Sequence, residues 1–337
     1  MKYFRLSFIV TIVGLIAAFL VESWQGLIIT ITLGIMEVSL SFDNAVVNAA
    51  VLKNMDEKWR RRFLIWGILI AVFGMRLVFP VLIVAIATGH GLLDVAQMAI
   101  QNPKEYAAQL HHSHVSIAAF GGMFLLLVFL SFMLDDAKEV HWVKMLEGGL
   151  SKLGKLESVE IVSAMIILMI AQSFIPETQR LTAVLAGLFG IILFVLVGSF
   201  SSLFEEDGLQ SMVGETAKNA GLMSFIYLEI LDASFSLDGV VGAFAITTNV
   251  LIIMIGLAVG AMFVRSMTLF LVDKGTLDEY IYLEHGAHYA IGALAMIMLA
   301  SIVYPVPEVI TGLIGLAFIL LSFFSSLAHK RKEQIEA

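Results

Sequence analysis

Residues 37–48 read EVSLSFDNAVVN, and residues 229–242 read EILDASFSLDGVVG. Each stretch places acidic side chains inside a long apolar run. When residues 39–47 are aligned with residues 234–242, Asp43 falls opposite Asp238 and Glu37 falls opposite Asp232. The chain therefore carries two copies of one acidic motif, and the second copy adds Glu229.

The composition around these motifs is that of a membrane protein. The 337 residues are 59% hydrophobic and only 14% charged, with a mean hydropathy of +0.94. An ordinary soluble domain is about 25% charged, and a soluble chain of this length could not keep so much apolar surface out of water. The composition predicts a polytopic protein whose first partner is the lipid bilayer.

Charge and cysteine content exclude several functions. The net charge of −8 leaves no basic surface to meet phosphates, so we expect no nucleic-acid partner. The absence of cysteine excludes a disulfide scaffold, thiolate zinc sites and a cysteine nucleophile. The sequence also contains no Ser/His/Asp order, phosphate loop or nucleotide fingerprint, and we therefore predict that the protein is not an enzyme.

Ten apolar runs come close to the roughly 20 residues that a transmembrane helix needs. They lie at 6–22, 25–52, 62–88, 114–134, 158–176, 180–203, 220–247, 249–272, 287–304 and 307–328. The first run follows Lys2 and Arg5 but lacks the small-residue cleavage site of a signal peptide, so we interpret it as a retained span.

Basic residues predict the orientation of these spans. Lys104 and Arg180 fall in predicted outer segments, whereas Arg76 and Arg265 fall within spans. All other lysines and arginines lie in segments that are inside if the N-terminus is inside, which is the bias typical of cytoplasmic segments. We therefore expect a multi-pass protein of the plasma or inner membrane with both termini cytoplasmic.

The two acidic motifs belong to a longer internal repeat. Each is followed by a span with one arginine (Arg76 or Arg265), and then by a span that a histidine opens (His114 or His285). The motifs lie in the second and seventh predicted spans, an odd number apart, so the two copies run in opposite directions. This predicts an all-α fold of about ten transmembrane helices in two inverted-topology repeats, with a binding site near the midplane.

The repeats give the predicted domain boundaries. The first repeat covers 1–157, with an outer insert at about 89–113 and an inner loop at about 135–157. The second repeat covers 158–337 and ends in a helix with a short basic tail.

Buried acids imply a cation. An ionised carboxylate within a span costs at least about 2.5–3.5 kcal/mol, and two arginines cannot neutralise five acids. Carboxylate, amide and hydroxyl oxygens suit Mn²⁺, Ca²⁺ or Mg²⁺. The predicted metal ligands are Glu37, Ser41, Asp43, Asn44, Glu229, Asp232, Ser236 and Asp238.

Arg76 and Arg265 are the predicted counter-charges of this site. The alternative is that each arginine only bonds backbone carbonyls of a broken helix. On a regular helix Glu37 and Asn44 would share a face, while Asp43 would point about 120° away from it. Either Asp43 and Asp238 meet the arginines, or the backbone unwinds near them.

Three histidines lie at the predicted mouths of the membrane region. His114 is at the outer end, and His285 and His288 are at the inner end. Such histidines could relay a metal ion, although a solvated loop is the commoner reading of an exposed histidine cluster.

The motifs resemble a known family. The pattern from Glu37 to Asn44 is similar to the Glu…Ser-x-Asp-Asn signature of the TerC (tellurium-resistance) integral membrane family. The run from Glu229 through Asp232 to Asp238 resembles that family's second motif, and Arg76 and Arg265 also match. The resemblance implies a two-repeat fold of the LysE-type transporter superfamily and a role in manganese export, with the motif carboxylates as the metal site. The two inserts, and Gly239 in the place of Asn44, resemble a longer branch of that family.

The leading prediction is a secondary transporter that exports a divalent cation, with Mn²⁺ ahead of Ca²⁺ and Mg²⁺. One alternative is a non-transporting membrane scaffold or stress-resistance subunit with a structural cation site. Another is a membrane enzyme that uses the metal hydrolytically, which would need an open coordination position and a substrate cleft. The sequence does not predict the oligomeric state.

Overall fold

The computed structural model describes residues 3–67, 69–156, 158–206 and 216–336. Within these residues the chain is helical and contains no strand. Two π-helical stretches, Phe63–Gly67 and Ile70–Val78, lie between α3 and α4. The helices are α1 (Arg5–Leu40), α2 (Phe42–Asn54), α3 (Glu57–Arg62), α4 (Phe79–Thr88), α5 (Leu92–Gln101), α6 (Pro103–His112), α7 (His114–Leu134), α8 (Lys144–Leu153), α9 (Val159–Gln172), α10 (Glu177–Glu206), α11 (Thr216–Ile246), α12 (Val250–Lys274), α13 (Thr276–Glu279), α14 (Leu283–Ser301) and α15 (Glu308–Glu336).

Five helices in the described part of the chain are long and apolar enough to cross a membrane. They are Arg5–Leu40, His114–Leu134, Glu177–Ser199, Val250–Lys274 and Ile310–Lys332. Two further apolar helices, Phe73–Ile86 and Val159–Gln172, are shorter. The prediction of an all-α polytopic membrane protein is confirmed, whereas the number of ten spans and the two inverted repeats stay predictions.

The first helix contains a reversal of the chain. Glu22 and Ser23 leave helical backbone angles, and Ser23 adopts a positive φ of 52°. Gly14 and Gly34, on opposite sides of this turn, both pack against Val259 of α12. The two halves of α1 therefore lie side by side against α12, and the turn falls between the first two predicted spans.

Burial differs strongly between the apolar helices. α7 packs between α10 and α14, and Met123, Phe124 and Leu127 on it are fully buried. α1 instead exposes most of its apolar side chains, including Leu20. An exposed surface of this kind is what lipid would cover, so α7 is central to the protein and α1 is peripheral.

The two predicted inserts contain short helices. The segment 89–113 forms α5 and α6, and in α5 the buried Val95 and Ala99 alternate with the exposed Leu93 and Ile100. The segment 135–157 contains α8, which buries one residue, Glu147, against the rest of the protein.

Candidate functional site

The first acidic motif forms a closed cluster around Glu37. This side chain is only 1% exposed, accepts a hydrogen bond from Ser41 Oγ at 3.0 Å, and forms an ion pair with Arg76. Arg76 is itself buried and approaches from the π-helical stretch Ile70–Val78. Such widened turns are rare and frequently lie at functional sites. Arg76 therefore lies against the motif that it was predicted to neutralise.

The helix is interrupted at one residue inside this motif. α1 ends at Leu40 and α2 begins at Phe42, with Ser41 between them at φ −108° and ψ 17°. The backbone hydrogen bonds continue on both sides, because Ser41 donates to Glu37 O and accepts from the Ala45 N–H. The interruption therefore turns the helix without opening it.

This break sets the position of Asp43. The residue lies in the first turn of α2, and its Oδ1 accepts the Asn44 backbone N–H at 2.9 Å. The positive end of the helix dipole favours a carboxylate there. Its Oδ2 faces Gly315 of α15, because a Cβ added at Gly315 would lie 3.7 Å from that oxygen. The helix is therefore broken at one residue before Asp43, but its backbone hydrogen bonds are kept, so both sequence-based alternatives for Asp43, an arginine partner or an unwound backbone, stay predictions.

The two motif copies meet across the protein. Asn44 Nδ2 donates to Asp232 Oδ1 at 2.5 Å, and a Cβ added at Gly239 would lie 2.9 Å from Glu37 Oε2. Residue numbers rise from 37 to 44 in one copy while the partner numbers fall from 239 to 232 in the other. The two motif segments therefore cross in antiparallel directions, and this contact joins the first and second copies.

The second acidic motif lacks partners for its leading glutamate of the kind that Ser41 and Arg76 provide for Glu37. Both carboxylate oxygens of Glu229 are sealed from solvent without a hydrogen-bond partner, and one of them faces Gly67 of the first π-helical stretch. Three neighbouring groups share this state: Asp232 through Oδ2, Ser236 through Oγ and Asn44 through Oδ1. Buried polar atoms without partners are rare and costly, so a group that supplied partners would stabilise this region.

These oxygens do not form a closed metal cage. Within the described residues, no group of three or more histidine, aspartate or glutamate side chains is close enough together to hold a metal ion. The reasons are visible in the motifs, because Glu37 is engaged by Arg76 and Asp43 faces α15. Binding at this crossing would therefore require local rearrangement or additional ligands from Ser, Asn, backbone or water.

Asp238 and Arg265 are two predicted site residues whose contacts lie outside the described part of the structure. The side chain of Asp238 lies outside the described part of the structure. Arg265 lies on α12 and is half-buried, and the partners of its interactions are likewise not described. The roles of both residues stay predictions.

The three predicted mouth histidines separate into two kinds. His114 Nε2 lies 3.3 Å from Ser301 Oγ and ties α7 to α14. His285 Nε2 lies 2.8 Å from Val140 O and ties α14 to the segment 135–157. These two rings are used in packing contacts between segments, whereas His288 lines a cavity.

Sequence reasoning left two contributors out of the site. Asn48 is 5% exposed, and its Oδ1, like the Oδ1 of Asn44, has no hydrogen-bond partner. Its spacing of four residues from Asn44 was a usable signal, because such residues share a helix face. Gly67 faces Glu229, and no sequence pattern predicts this position. It is visible only from the contact between the helix of Gly67 and α11.

Glu147 was also missed, in the segment 135–157. Its side chain is fully buried and accepts a hydrogen bond from the Val143 N–H at 3.1 Å. It also pairs with Lys138 at 3.0 Å and with His285 at 3.4 Å. Burial alone would raise the pKa of Glu147, but the Val143 amide and the Lys138 and His285 charges outweigh it, so the pKa lies below its usual value. This carboxylate anchors α8 to α14.

The fold and the buried acidic crossing define a class, that of polytopic α-helical membrane proteins with charged motifs packed between their helices. Within that class the chain belongs to the family described as "Protein of unknown function (DUF475)", whose model matches residues 42–333.

One relative is itself described as a membrane protein. The chain is 25% identical over 219 residues to "Uncharacterized membrane protein YceF" of Bacillus subtilis (strain 168), and the alignment covers 55% of this chain and 84% of that protein. No solved structure matches the chain. The comparisons establish a membrane protein family, and multi-pass membrane localisation follows from them together with the apolar helices.

Proposed function

We propose that this protein is a secondary transporter that exports a divalent metal cation, with Mn²⁺ as its main substrate. The observation that carries the proposal is the set of unpartnered oxygens of Glu229, Asp232, Ser236 and Asn44 at the crossing of the two motifs. Oxygens that have lost water and have gained no donor are the ligands that a hard cation would bind.

The donor chemistry narrows the substrate class. Carboxylate, amide and hydroxyl oxygens favour Mn²⁺, Ca²⁺ and Mg²⁺ over softer metals, and the chain contains no cysteine. The resemblance of both motifs to the TerC family supports manganese within this class, and it supports export as the direction.

The ion pair between Arg76 and Glu37 supports a switch. A cation that arrives at Asp232 brings positive charge close to Arg76, which already acts electrostatically on Asp232. Repulsion would favour release of Arg76 from Glu37, and Glu37 would then become a ligand. Because the pair joins α1 to the π-helical stretch, its release would free these segments to move.

Flux in proteoliposomes tests this proposal. Purified protein would be reconstituted around a metal-quenched fluorophore and exposed to Mn²⁺, Ca²⁺, Mg²⁺ or Zn²⁺, with and without a pH gradient. We expect Mn²⁺ flux that Asp232→Asn and Glu229→Gln abolish and that Glu105→Gln, at an exposed acid, preserves. Absence of flux from the unmodified protein for every metal would overturn the transporter and favour the scaffold.

A further inference from the structure

A second acidic region surrounds a cavity that is partly lined by α11. The cavity has a volume of about 430 Å³ and lies between the end of α7, the start of α9, the start of α14 and α11. Its polar lining residues are Ser131, Asp135, Asp136, Glu160, Tyr227 and His288. The segment 135–157 is predicted to be cytoplasmic, which places the cavity at the inner face.

The charge of this cavity is one-sided. Three carboxylates line it, and the described lining residues include no lysine or arginine. The neighbouring base, Lys138, does not line the cavity: its ammonium pairs with Glu147 at 3.0 Å, and it lies 4.3 Å from the ring centroid of Phe132, a lining residue. Carboxylates that share a cavity without a base attract cations.

His288 adds an observation that points to a metal ligand. The side chain is only 8% exposed and stacks on Phe132, with 3.7 Å between the ring centroids. Its Nδ1 lies 2.9 Å from Glu284 O. A carbonyl oxygen can only accept, so Nδ1 carries the proton and Nε2 presents a lone pair. Within the part of the chain that the structure describes, no hydrogen-bond partner reaches this Nε2, and His288 lines the cavity. A histidine whose other ring nitrogen is held by a backbone carbonyl is the arrangement typical of metal ligands.

The cavity and the motif crossing share α11. Tyr227 forms part of the cavity wall and precedes Glu229 by two residues on α11. Two residues correspond to about 3 Å along a helix axis and about 200° around it, so Tyr227 lies at nearly the depth of Glu229 but on another face of α11.

We propose that this cavity is a second cation site, a vestibule in which Asp135, Asp136, Glu160 and His288 capture a hydrated divalent cation from the cytoplasm. The described residues contain no group of three such side chains close enough to enclose a bare ion, so the cation keeps much of its water, as oxygen-bound Mg²⁺-type ions commonly do. Binding in the vestibule stands independently, whereas delivery to Glu229 rests on the proposed function.

The test uses full-length protein in phosphatidylcholine nanodiscs, with free Mn²⁺ measured by electron paramagnetic resonance. The parent is Glu229→Gln, which weakens the motif site. We expect Mn²⁺ binding to remain in this parent and to weaken about tenfold or more when Asp135→Asn, Asp136→Asn and Glu160→Gln are added, because affinity follows ligand charge. Glu139→Gln, at an exposed acid of the same segment that does not line the cavity, is the matched control and should bind like the parent.

Labelled histidine provides a local readout. With ¹³Cε1-histidine, Mn²⁺ should broaden the His288 resonance, which His288→Asn identifies, and the triple variant should lose this broadening. Equal Mn²⁺ affinity in the parent and the triple variant, or an equal loss in Glu139→Gln, would overturn the vestibule. If binding behaves as expected but the unmodified protein shows no flux, the transporter proposal fails and the vestibule stands.

Discussion

The first glutamates of the two acidic motif copies differ in whether their carboxylates have partners. Glu37 is held by Ser41 and paired with Arg76, whereas both oxygens of Glu229 lie without a partner beside Gly67. Similar sequences have therefore folded into a compensated copy and an uncompensated copy. Under the proposed function, the first copy would fix the helix crossing and the second copy would accept the cation.

Removal of Arg76 should have the largest effect on this comparison. Arg76→Leu would leave Glu37 buried without its counter-charge, and loss of one partner of a buried pair typically costs about 3–5 kcal/mol. We expect a large loss of thermal stability in detergent, measured by unfolding followed through tryptophan fluorescence.

The matched control for Arg76→Leu is the double variant Arg76→Leu/Glu37→Gln. It removes both charges and should recover most of the lost stability. A double variant as unstable as Arg76→Leu would show that the ion pair is not what stabilises the first copy.

Neutralisation of the two glutamates should separate the copies directly. Glu37→Gln removes the carboxylate that pairs with Arg76 and should destabilise the protein by about 1–3 kcal/mol. Glu229→Gln removes a carboxylate that has no compensation and should leave the unfolding temperature unchanged or raised. Equal destabilisation by both variants in the same thermal assay would end the distinction between a compensated and an uncompensated copy.

Filling the space beside Glu229 should disturb the second copy, although the added atom would also lie 3.0 Å from the Phe63 ring. A Cβ at Gly67 would lie 2.8 Å from Glu229 Oε1, and overpacking of this kind typically costs about 1–3 kcal/mol. We expect Gly67→Ala to lower Mn²⁺ flux in proteoliposomes. Gly198→Ala is the control, because no atom lies within 4 Å of the added Cβ, and flux through that variant should match the unmodified protein.

The smallest effect concerns Glu147, a buried carboxylate that is ion-paired like Glu37 and serves as a reference for the first copy. Its pKa is lowered in the folded protein from the ordinary 4.5, so its contribution to the docking of α8 is fully present above that value and is lost as pH falls through the lower folded pKa. Hydrogen-exchange protection factors of Lys144–Leu153 should therefore decrease on acidification. Glu147→Gln should show weaker protection with little pH dependence, and an unchanged pH profile in that variant would contradict the assignment.

The sequence predicted the features that follow from hydrophobicity and spacing. The apolar runs predicted an all-helical membrane protein because a bilayer requires such runs. The predicted shared face of Glu37 and Asn44 agrees with the structure, in which both residues approach the second copy. The pairing of Glu37 with Arg76 could be anticipated because few positive charges lie within the spans.

Other features depend on contacts that no local pattern records. The π-helical stretch around Arg76 has no spacing signal, and Asp43 faces α15 only because one residue, Ser41, breaks the helix. The tie between Glu147 and His285 joins residues that are far apart in the chain. The role of His288 could not be separated from those of His114 and His285, because hydrogen bonds to backbone carbonyls decide which ring nitrogen remains available.

Anomalous diffraction from crystals grown with Mn²⁺ tests the central claim most directly. The account predicts an anomalous peak at the motif crossing, bound by oxygens of Asp232 and Glu229 at about 2.0–2.6 Å, and loss of this peak in Glu229→Gln. Crystals in which the crossing shows no peak, while Mn²⁺ binds elsewhere on the protein, would contradict it.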